Sequence, residues 1–306
     1  MSELPAARTV LVTGASSGIG RCVVTRLAQQ GHRVFAGARK AQDLAALGAI
    51  DRVTALELDV SDPAQIAAAV QRVQAAGYGL DGLVNNAGVG GLGPLHTWTD
   101  GEMLQLFDTN VFGPQRMCRA FGDLLLARRG RVVHIGSQGG SITSRWFGPY
   151  TMSKHALEAM AQSQREELAP HGVGVSIVQP GAVATTISDT GAPGTRARFE
   201  RAMPPFDIEA VAVLRGMAQP TAHRADEPES ASNRVHATPE TVAVAVEHAL
   251  FSAAPRARYL VGSRWEGMRV VDALLTKLLD ANEGTNMQLS RAELVALLQT
   301  RFDARP

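Results

Sequence analysis

Residues 9–24, TVLVTGASSGIGRCVV, place a glycine-rich turn between an apolar, β-branched run and the start of an amphipathic helix. Glycines at the spacing G-x-x-x-G-x-G allow a tight turn with positive φ and let a pyrophosphate approach the N–H groups that open the helix. No Lys-Ser/Thr pair follows Gly20, which excludes a Walker-type P-loop. A turn of this kind also occurs without a ligand, but its strand and helix neighbours predict a dinucleotide site. The expected contact residues in this turn are Gly14, Ser16, Ser17, Gly18, Ile19 and Gly20.

Strand-like and helix-like segments alternate from residue 8 to about residue 185. The strand-like segments are 9–13, 33–39, 53–60, 82–86, 131–137 and 174–180, followed later by 257–262. The helix-like segments between them are 21–30, 63–76, 102–129 and 150–171. Such alternation implies right-handed βαβ crossovers and a parallel sheet with helices on both faces. The sequence therefore predicts an α/β, Rossmann-type, doubly wound domain of about seven mainly parallel strands.

Composition excludes several classes of partner. Of the 306 residues, 45% are apolar and 19% charged, and a net charge of +1 gives no reason to expect nucleic acid or an acidic membrane. No signal-like apolar core opens the chain and no run of 18 apolar residues occurs, so we expect neither export nor stable membrane insertion. Cys22 and Cys118 lie in helix-like apolar segments. We expect core thiols, no metal site and a cytoplasmic location.

The βα pattern is interrupted by an insertion at 187–236, which contains five prolines and the polar stretch HRADEPESASN. We expect one domain whose core is 8–185 and 237–262, with the insertion as a mobile lid over the substrate and a helical extension at 264–306. Within the insertion, only EAVAVLRGMA is helix-like.

Apolar residues in these two regions need a surface to pack against. In the insertion they either face a lipophilic substrate or pin the loop to the body; they are Ile187, Phe199, Met203 and Phe206. In the extension, 268–280 and 289–302 are amphipathic. Packing against the body or a second subunit explains these stripes better than membrane contact.

Tyr150 and Lys154, in GPYTMSKHALEAM, are four residues apart and would share one face near the start of a helix. A phenol has a pKa of about 10, and a neighbouring ammonium favours the phenolate, which moves that pKa toward the range useful for proton transfer. By itself this pair is more often packing than catalysis. The other motifs decide.

Taken together, the motifs over residues 8–262 resemble the short-chain dehydrogenase/reductase family, with the steroid/retinol-type branch as the nearest in character. The segments similar to the family's cofactor motifs are TGASSGIG at 13–20, DV at 59–60, NNAG at 85–88, PG at 180–181 and residues 183–186. The residues at the positions of its catalytic tetrad are Asn110, Ser137, Tyr150 and Lys154. The serine precedes the tyrosine by thirteen residues, as in the family.

The resemblance implies a role for each of these residues. Tyr150 would exchange a proton with the substrate oxygen, and Ser137 would stabilise charge developing there. Lys154 would lower the pKa of Tyr150 and bind the nicotinamide ribose, while Asn110 would hold a water that links Lys154 to solvent. The further cofactor contacts implied are Asp59, Val60, Asn86, Ala87, Gly88, Asn110, Tyr150, Lys154, Pro180, Gly181, Val183 and Thr185. We expect His134 to be structural and His155 not to be catalytic.

The residues after the second strand indicate NADP(H). Dinucleotide folds that prefer NAD place a carboxylate about twenty residues after the glycine turn, to accept from the ribose 2′-hydroxyl. Here Arg39 and Lys40 lie at that place, and the next carboxylate is Asp43. Arg39 can contact a 2′-phosphate with charge-assisted hydrogen bonds. A solvated basic turn would contain the same residues.

The expected activity is the reversible interconversion of a secondary alcohol and a ketone, or an aldehyde, of a small lipophilic molecule with NADP(H). Two alternatives stay open: a reductase of 3-oxoacyl groups on a carrier protein, and a non-catalytic dinucleotide-sensing regulator. The intact tetrad argues against the regulator. The resemblance also implies a homodimer or homotetramer, with the helices at 103–127 and 150–168 as the contact surfaces.

Overall fold

A computed structural model describes residues 7–185, 187–217, 226–230, 233–283 and 288–304. Its strands are β1 Thr9–Val12, β2 Arg33–Ala38, β3 Val53–Glu57, β4 Gly82–Asn85, β5 Arg131–Ile135, β6 Gly174–Pro180 and β7 Arg258–Val261. The helices of the first half are α1 Gly18–Gln29, α2 Ala41–Gly48, α3 Pro63–Ala75, α4 Asp100–Phe107, α5 Gly113–Arg128 and α6 Gly148–Leu168. Those of the second half are α7 Ile187–Glu200, α8 Asp207–Met217, α9 Pro239–Phe251, α10 Arg264–Asn282 and α11 Arg291–Asp303.

The strands form one parallel sheet in the order β3-β2-β1-β4-β5-β6-β7. Strand order reverses between β1 and β4, and in open α/β sheets the crevice at such a point lies at the carboxyl ends of the strands. The predicted doubly wound, seven-stranded fold is confirmed. The sheet is wholly parallel rather than mainly so.

Two apolar clusters cover the two faces of the sheet. On one face, α1 and α9 pack on the central strands through residues such as Val24, Leu27 and Val246. On the other face, α3, α5 and α6 contribute side chains that include Val73, Phe121 and Leu157, all at most 1% exposed. Strands buried on both faces explain why the sequence reads as continuous apolar runs there.

Local structure departs from the predicted helices in three places. The segment predicted as one helix over 102–129 is interrupted by a π-helical turn at Asp108–Phe112, which separates α4 from α5. Helix α2 was not predicted. The insertion contains a fourteen-residue helix, α7, although Pro193 lies inside it; the predicted helical segment corresponds to α8. Other parts of the insertion, 218–225 and 231–232, lie outside the described residues.

The extension after residue 264 folds as the two helices α10 and α11, each opened by a capping box, Ser263 with Glu266 and Ser290 with Glu293. No helix among the described residues is both long and apolar enough to cross a bilayer.

Candidate active site

A cavity of about 480 Å³ lies at the carboxyl edge of the sheet, beside the glycine turn. Its lining includes most of the residues predicted from the sequence: Gly14, Ser16, Ser17, Gly18, Ile19, Arg39, Asp59, Val60, Asn86, Ala87, Gly88, Ser137, Tyr150, Lys154, Pro180, Gly181, Val183 and Thr185. Three predicted residues do not line it, namely Gly20, Lys40 and Asn110. Thr186 lies outside the described residues.

Glycines in the turn allow its backbone to pack closely against neighbouring segments. Gly14 has φ +63°, and a Cβ there would lie 2.7 Å from the Cα of Ala87. Gly18, with φ +53°, faces Thr185. Helix α1 begins at this turn with no acidic residue in its first turn, so the N-terminal end of its dipole favours an anion.

Two further residues keep this turn in place. The amide nitrogen of Asn86 donates to the carbonyl oxygens of Thr13 and Gly14, at 2.9 and 2.8 Å. A Cβ at Gly20 would lie 2.4 Å from that same amide nitrogen and from the Gly14 oxygen. Gly20 therefore serves the packing behind the turn instead of contacting the cavity.

At one end of the cavity, Arg39 is largely exposed and its Nη1 lies 3.4 Å from Oδ2 of Asp59. Burial pulls the pKa of Asp59 upward, but hydrogen bonds from Ser61 and the proximity of Arg39 outweigh it and leave that pKa below its usual value. Asp59 is thus a carboxylate. Lys40 is exposed at the N-cap of α2 and does not line the cavity.

At the other end, Tyr150 and Ser137 come together. Ser137 follows β5, and its Oγ accepts from the N–H of Gly139 at 3.0 Å. Burial raises the pKa of Tyr150, and a side-chain hydrogen bond with Ser137 partly offsets that rise. The phenol is therefore protonated at neutral pH.

Lys154 is buried one turn after Tyr150. Its Nζ donates to the carbonyl oxygen of Ile135 at 3.0 Å and lies 5.8 Å from the centroid of the Tyr150 ring. Burial lowers the pKa of Lys154 to about 8, and the charge of Glu158 opposes that change. The pKa of Tyr150 still lies above its ordinary value, because desolvation dominates at the phenol while the ammonium of Lys154 contacts the β5 carbonyl. That Lys154 favours the phenolate stays a prediction.

Asn110 lies in the π-helical turn and is 1% exposed. Its Oδ1 accepts from the N–H of Val89, while its Nδ2 donates to the Val89 oxygen and to Oγ of Ser153. Oγ of Ser153 in turn donates to the Tyr150 carbonyl at 2.7 Å. Both amide hydrogens are used by protein groups, so the side chain joins the loop after β4 to α6. Its role in holding a water stays a prediction.

Comparison with known proteins agrees with this geometry. A family model described as short chain dehydrogenase matches residues 8–194, which include the glycine turn, Ser137, Tyr150 and Lys154. The chain belongs to the short-chain dehydrogenase family.

Two curated relatives illustrate the range of this family. Short-chain dehydrogenase PC-15 of Penicillium crustosum is 43% identical over 185 residues, which are 60% of this chain and 68% of that protein. Retinol dehydrogenase 5 of Mus musculus is 38% identical over 194 residues, 61% of this chain and 60% of its own.

Solved structures extend the likeness beyond the matched segment. A short-chain dehydrogenase from Streptomyces avermitilis is 30% identical with a TM-score of 0.71, and the alignment covers 100% of both chains. One from Burkholderia cenocepacia J2315, solved in complex with NADP, is 25% identical with a TM-score of 0.66 over 91% of this chain and 98% of that one.

In this short-chain dehydrogenase, a buried carboxylate that the sequence analysis missed lies behind Lys154. Glu158 is one helical turn further along α6, and its Oε1 accepts from Nε2 of Gln179 at 2.7 Å. Its Oε2 accepts from both Nε and Nη2 of Arg258 on β7. The i,i+4 spacing of Lys154 and Glu158 could have predicted that the two side chains are neighbours on α6. The partners from β6 and β7 were not, because they are distant in sequence.

A second missed residue is Glu266, in the first turn of α10 and 1% exposed. Its Oε1 accepts from the N–H of Ala182, in the turn after β6, at 2.9 Å. The carboxylate also pairs with Arg234, near the end of the insertion, and accepts from the N–H of Ser263. One carboxylate thus joins three segments of the dehydrogenase beside the cavity.

Polar contacts hold helix α7 of the insertion against the loop after β4. Arg198 is 5% exposed, and its Nη1 lies 3.1 Å from Oε1 of Glu102. The same guanidinium donates to the Leu92 oxygen and stacks 3.7 Å from the ring of Trp98. Arg201 bonds the other oxygen of Glu102 at 2.8 Å. Polar contacts, rather than apolar packing alone, thus attach α7 to the body of the protein.

The apolar residues predicted in the insertion divide into two groups. Phe199 is 2% exposed and packs edge-on against Trp146, as does Phe206, so these two pin the insertion to the segment that leads into Tyr150. Met203 is 66% exposed. Ile187 alone of the four lines the cavity.

His134 on β5 is consistent with a structural role. Its Nε2 lies 2.9 Å from Oε1 of Gln164 and its Nδ1 lies 3.4 Å from the Asn85 amide. Complete burial lowers the pKa of His134 to about 4, so the ring is neutral at pH 7.

The residues present fit a dinucleotide. The cavity is lined by the glycine turn and extends from Arg39 to Tyr150. A helix N-terminus without acidic residues faces the part of the cavity where a pyrophosphate would lie.

Proposed function

We propose that this protein is an NADP(H)-dependent oxidoreductase that interconverts a secondary alcohol and a ketone, or an aldehyde, of a small lipophilic molecule. One observation carries the proposal: Ser137, Tyr150 and Lys154 line the same cavity as the glycine turn of α1. A proton donor and a dinucleotide cradle in one cavity are what carbonyl reduction needs.

Tyr150 acts as the general acid and base. A nicotinamide dinucleotide held in this cavity would supply or accept the hydride. A phenol whose pKa is raised by burial stays protonated at neutral pH, which is the form needed to donate to a carbonyl oxygen. Ser137 lies within hydrogen-bonding reach of the same hydroxyl and would donate to the substrate oxygen as negative charge develops there.

Lys154 stabilises the phenolate left after this transfer and binds the nicotinamide ribose. Its ammonium lies 5.8 Å from the phenol ring, in surroundings dry enough to lower the pKa of Lys154 to about 8. Charges interact more strongly in such surroundings than in water. Asn110 and Ser153 position the pair through the hydrogen bond to the Tyr150 carbonyl.

The preference for NADP(H) is proposed from Arg39. No carboxylate follows β2 at the place where an NAD-specific fold has one, and Arg39 lines the cavity there. The NADP-bound structure from Burkholderia cenocepacia supports this reading. Nη1 of Arg39 contacts Asp59, and the guanidinium has further N–H donors with which it would bind a 2′-phosphate.

We propose that residues 187–236 form the substrate lid of a single domain, since Ile187 and Gly191 line the cavity. Together with Val89 they give the entrance an apolar side, which suits a lipophilic substrate. The likeness to retinol dehydrogenase 5 supports a substrate of this class. The free thiols Cys22 and Cys118 suit a cytoplasmic enzyme, and a homodimer or homotetramer is proposed.

The central experiment is Tyr150→Phe with purified protein and a panel of ketones of graded size. The ring stays and the proton is lost, so turnover should fall by roughly a hundredfold or more while NADPH still binds. Tyr78→Phe, an exposed ring far from the cavity, is the matched control and should leave turnover unchanged. Near-normal turnover of Tyr150→Phe would refute the mechanism.

A second experiment tests the cofactor. Wild type should favour NADPH over NADH by at least about tenfold in kcat/KM, and Ala38→Asp/Arg39→Leu should lose or reverse that preference. Lys40→Leu, at the exposed neighbour that does not line the cavity, should change it little. A wild-type enzyme that prefers NADH would contradict the role given to Arg39.

A further inference from the structure

Helices α10 and α11 expose an unusual amount of apolar surface. Eleven of the large apolar side chains that are exposed among the described residues lie in these helices or just before α11. They are Met268, Val271, Leu274, Leu275, Leu278, Leu279, Leu289, Val295, Leu297, Leu298 and Phe302. Single exposed apolar residues need no explanation, but monomers rarely expose contiguous patches beyond a few hundred Å².

The sequence nevertheless specifies both helices. Each opens with a capping box, and Asn282 exchanges two hydrogen bonds with the backbone of Leu289 across the connection. Yet none of the thirteen residues of α11 is buried, and α10 buries only Glu266 and Val270. An isolated helix of this length is marginal in water, because helices in proteins owe most of their stability to packing of an apolar face.

The spacing of the exposed residues indicates what covers them. On α10, Met268, Val271, Leu275 and Leu278 follow at intervals of three, four and three. On α11, Val295, Leu298 and Phe302 follow at three and four. Apolar residues at alternating intervals of three and four form the narrow seam by which helices pack side by side.

The seam of α10 is separate from the face that anchors this helix. Glu266 and Val270 are buried against the body, and Nζ of Lys277 donates to the Ser141 oxygen at 2.7 Å. Residues 266, 270 and 277 share one side of the helix, whereas 268, 271, 275 and 278 are centred about 140° away around the helix axis. The anchored side therefore leaves the seam free for another helix.

We propose that α10 and α11 form an interface with a second copy of this chain, in which the two helical pairs pack on each other about a two-fold axis. At roughly 90 Å² for each partly exposed side chain, the eleven residues offer on the order of 1,000 Å² of apolar surface, against about 800 Å² per partner in a standard interface. In a two-fold dimer the same surface of each copy packs against its counterpart, so both apolar surfaces are covered at once.

The charges of these helices favour a protein partner over a lipid surface. On α10, apart from the buried Glu266, Arg264, Arg269 and Lys277 are matched by Asp272, Asp280 and the C-cap residue Glu283. On α11, two arginines are matched by Glu293 and Asp303. Helices that lie on membranes carry an excess of lysine and arginine on the polar face, and these do not.

The test is the mass of the full-length protein in solution, measured by sedimentation velocity and light scattering. Leu275→Asp/Leu298→Asp places one charge in each seam and should halve the mass of the assembly or weaken it at least a hundredfold. The circular dichroism spectrum should lose no more helical signal than the unfolding of α10 and α11 accounts for. The matched control is Met203→Asp/Ile208→Asp, at side chains 66% and 80% exposed in the insertion, which should leave the mass unchanged. The same mass for the seam variant and wild type, or a monomeric wild type, would overturn the proposal.

A measurement on wild type alone covers the case in which the seam variant fails to fold. Backbone hydrogen exchange in 291–303 should slow as protein concentration rises, because the interface protects α11 only in the assembly. Exchange that is independent of concentration would count against the interface. Co-flotation of wild type with phosphatidylcholine/phosphatidylserine vesicles, abolished by the seam variant, would assign the surface to a membrane instead and also overturn it.

Discussion

Replacing Gly14 with alanine tests the geometry of the glycine turn most directly. Two costs combine at this position. An L-residue at φ +63° pays about 1–2 kcal/mol for the left-handed conformation, and the new Cβ would lie 2.7 Å from the Ala87 Cα and 3.0 Å from its nitrogen. Because these neighbours are backbone atoms, the strand ends must shift, at a further cost of about 1–3 kcal/mol. We expect Gly14→Ala to lose about 3 kcal/mol of unfolding free energy.

Gly31 provides the matched control. Its φ of +87° carries the same conformational penalty, but among the described residues no atom lies within 4 Å of a Cβ built there. Gly31→Ala should therefore lose only about 1–2 kcal/mol. Urea unfolding followed by circular dichroism measures both, and NADPH binding by fluorescence should weaken strongly only for Gly14→Ala. Equal destabilisation of the two variants would refute the inferred contact between the glycine turn and the loop after β4.

Two further predictions concern titration. The charge of Glu158 opposes the burial that lowers the pKa of Lys154 to about 8, so Glu158→Gln should lower this pKa further and move the corresponding limb of the pH–kcat/KM profile to lower pH. Glu166→Gln, at an exposed position on the same helix, is the control and should leave that limb in place. An unmoved limb in Glu158→Gln would contradict the coupling. In the folded protein the pKa of His134 is about 4, below the ordinary 6.5. Between these two pH values the unfolded chain binds the proton and the folded protein does not. The free energy of unfolding should therefore fall by about 3 kcal/mol as the pH falls from about 6.5 to 4. In His134→Gln, the free energy of unfolding measured with urea should depend less on pH over this range. An unaltered pH dependence would show that other groups cause the loss of stability.

The fold could be predicted from the sequence because its signals are local. The glycine turn and the β-branched runs mark strand ends and strands without reference to distant residues. The helix predicted over 102–129 was wrong at 108–112, since a π-helical turn adds one residue without breaking the apolar pattern. Helix α7 was missed because Pro193 and three nearby glycines and alanines indicate a loop, whereas the buried Arg198 that secures it depends on Glu102, far away in sequence.

The sequence indicated which residues share the cavity, but it did not indicate all of their hydrogen-bond partners. Ser137, Tyr150 and Lys154 were found because family spacing relates them, and the structure brings them to one cavity. The hydrogen bonds of the Asn110 side chain were not predicted, because its partners, Val89 and Ser153, come from two other segments. Whether a side chain binds water or protein depends on such neighbours, which no spacing within one segment reveals.

The contacts of Glu266 bear on where this chain can be cut. In the sequence, the insertion and the extension after residue 264 look like appendages to a finished domain. Yet the carboxylate of Glu266 binds the N–H of Ala182 and Arg234, so the end of the insertion and the turn after β6 both depend on the first turn of α10. A chain shortened to residue 262 would leave the Ala182 N–H and a guanidinium without their partner beside the cofactor cavity. The useful boundary for a minimal enzyme therefore falls after α10, and the first turn of that helix should unfold together with the sheet.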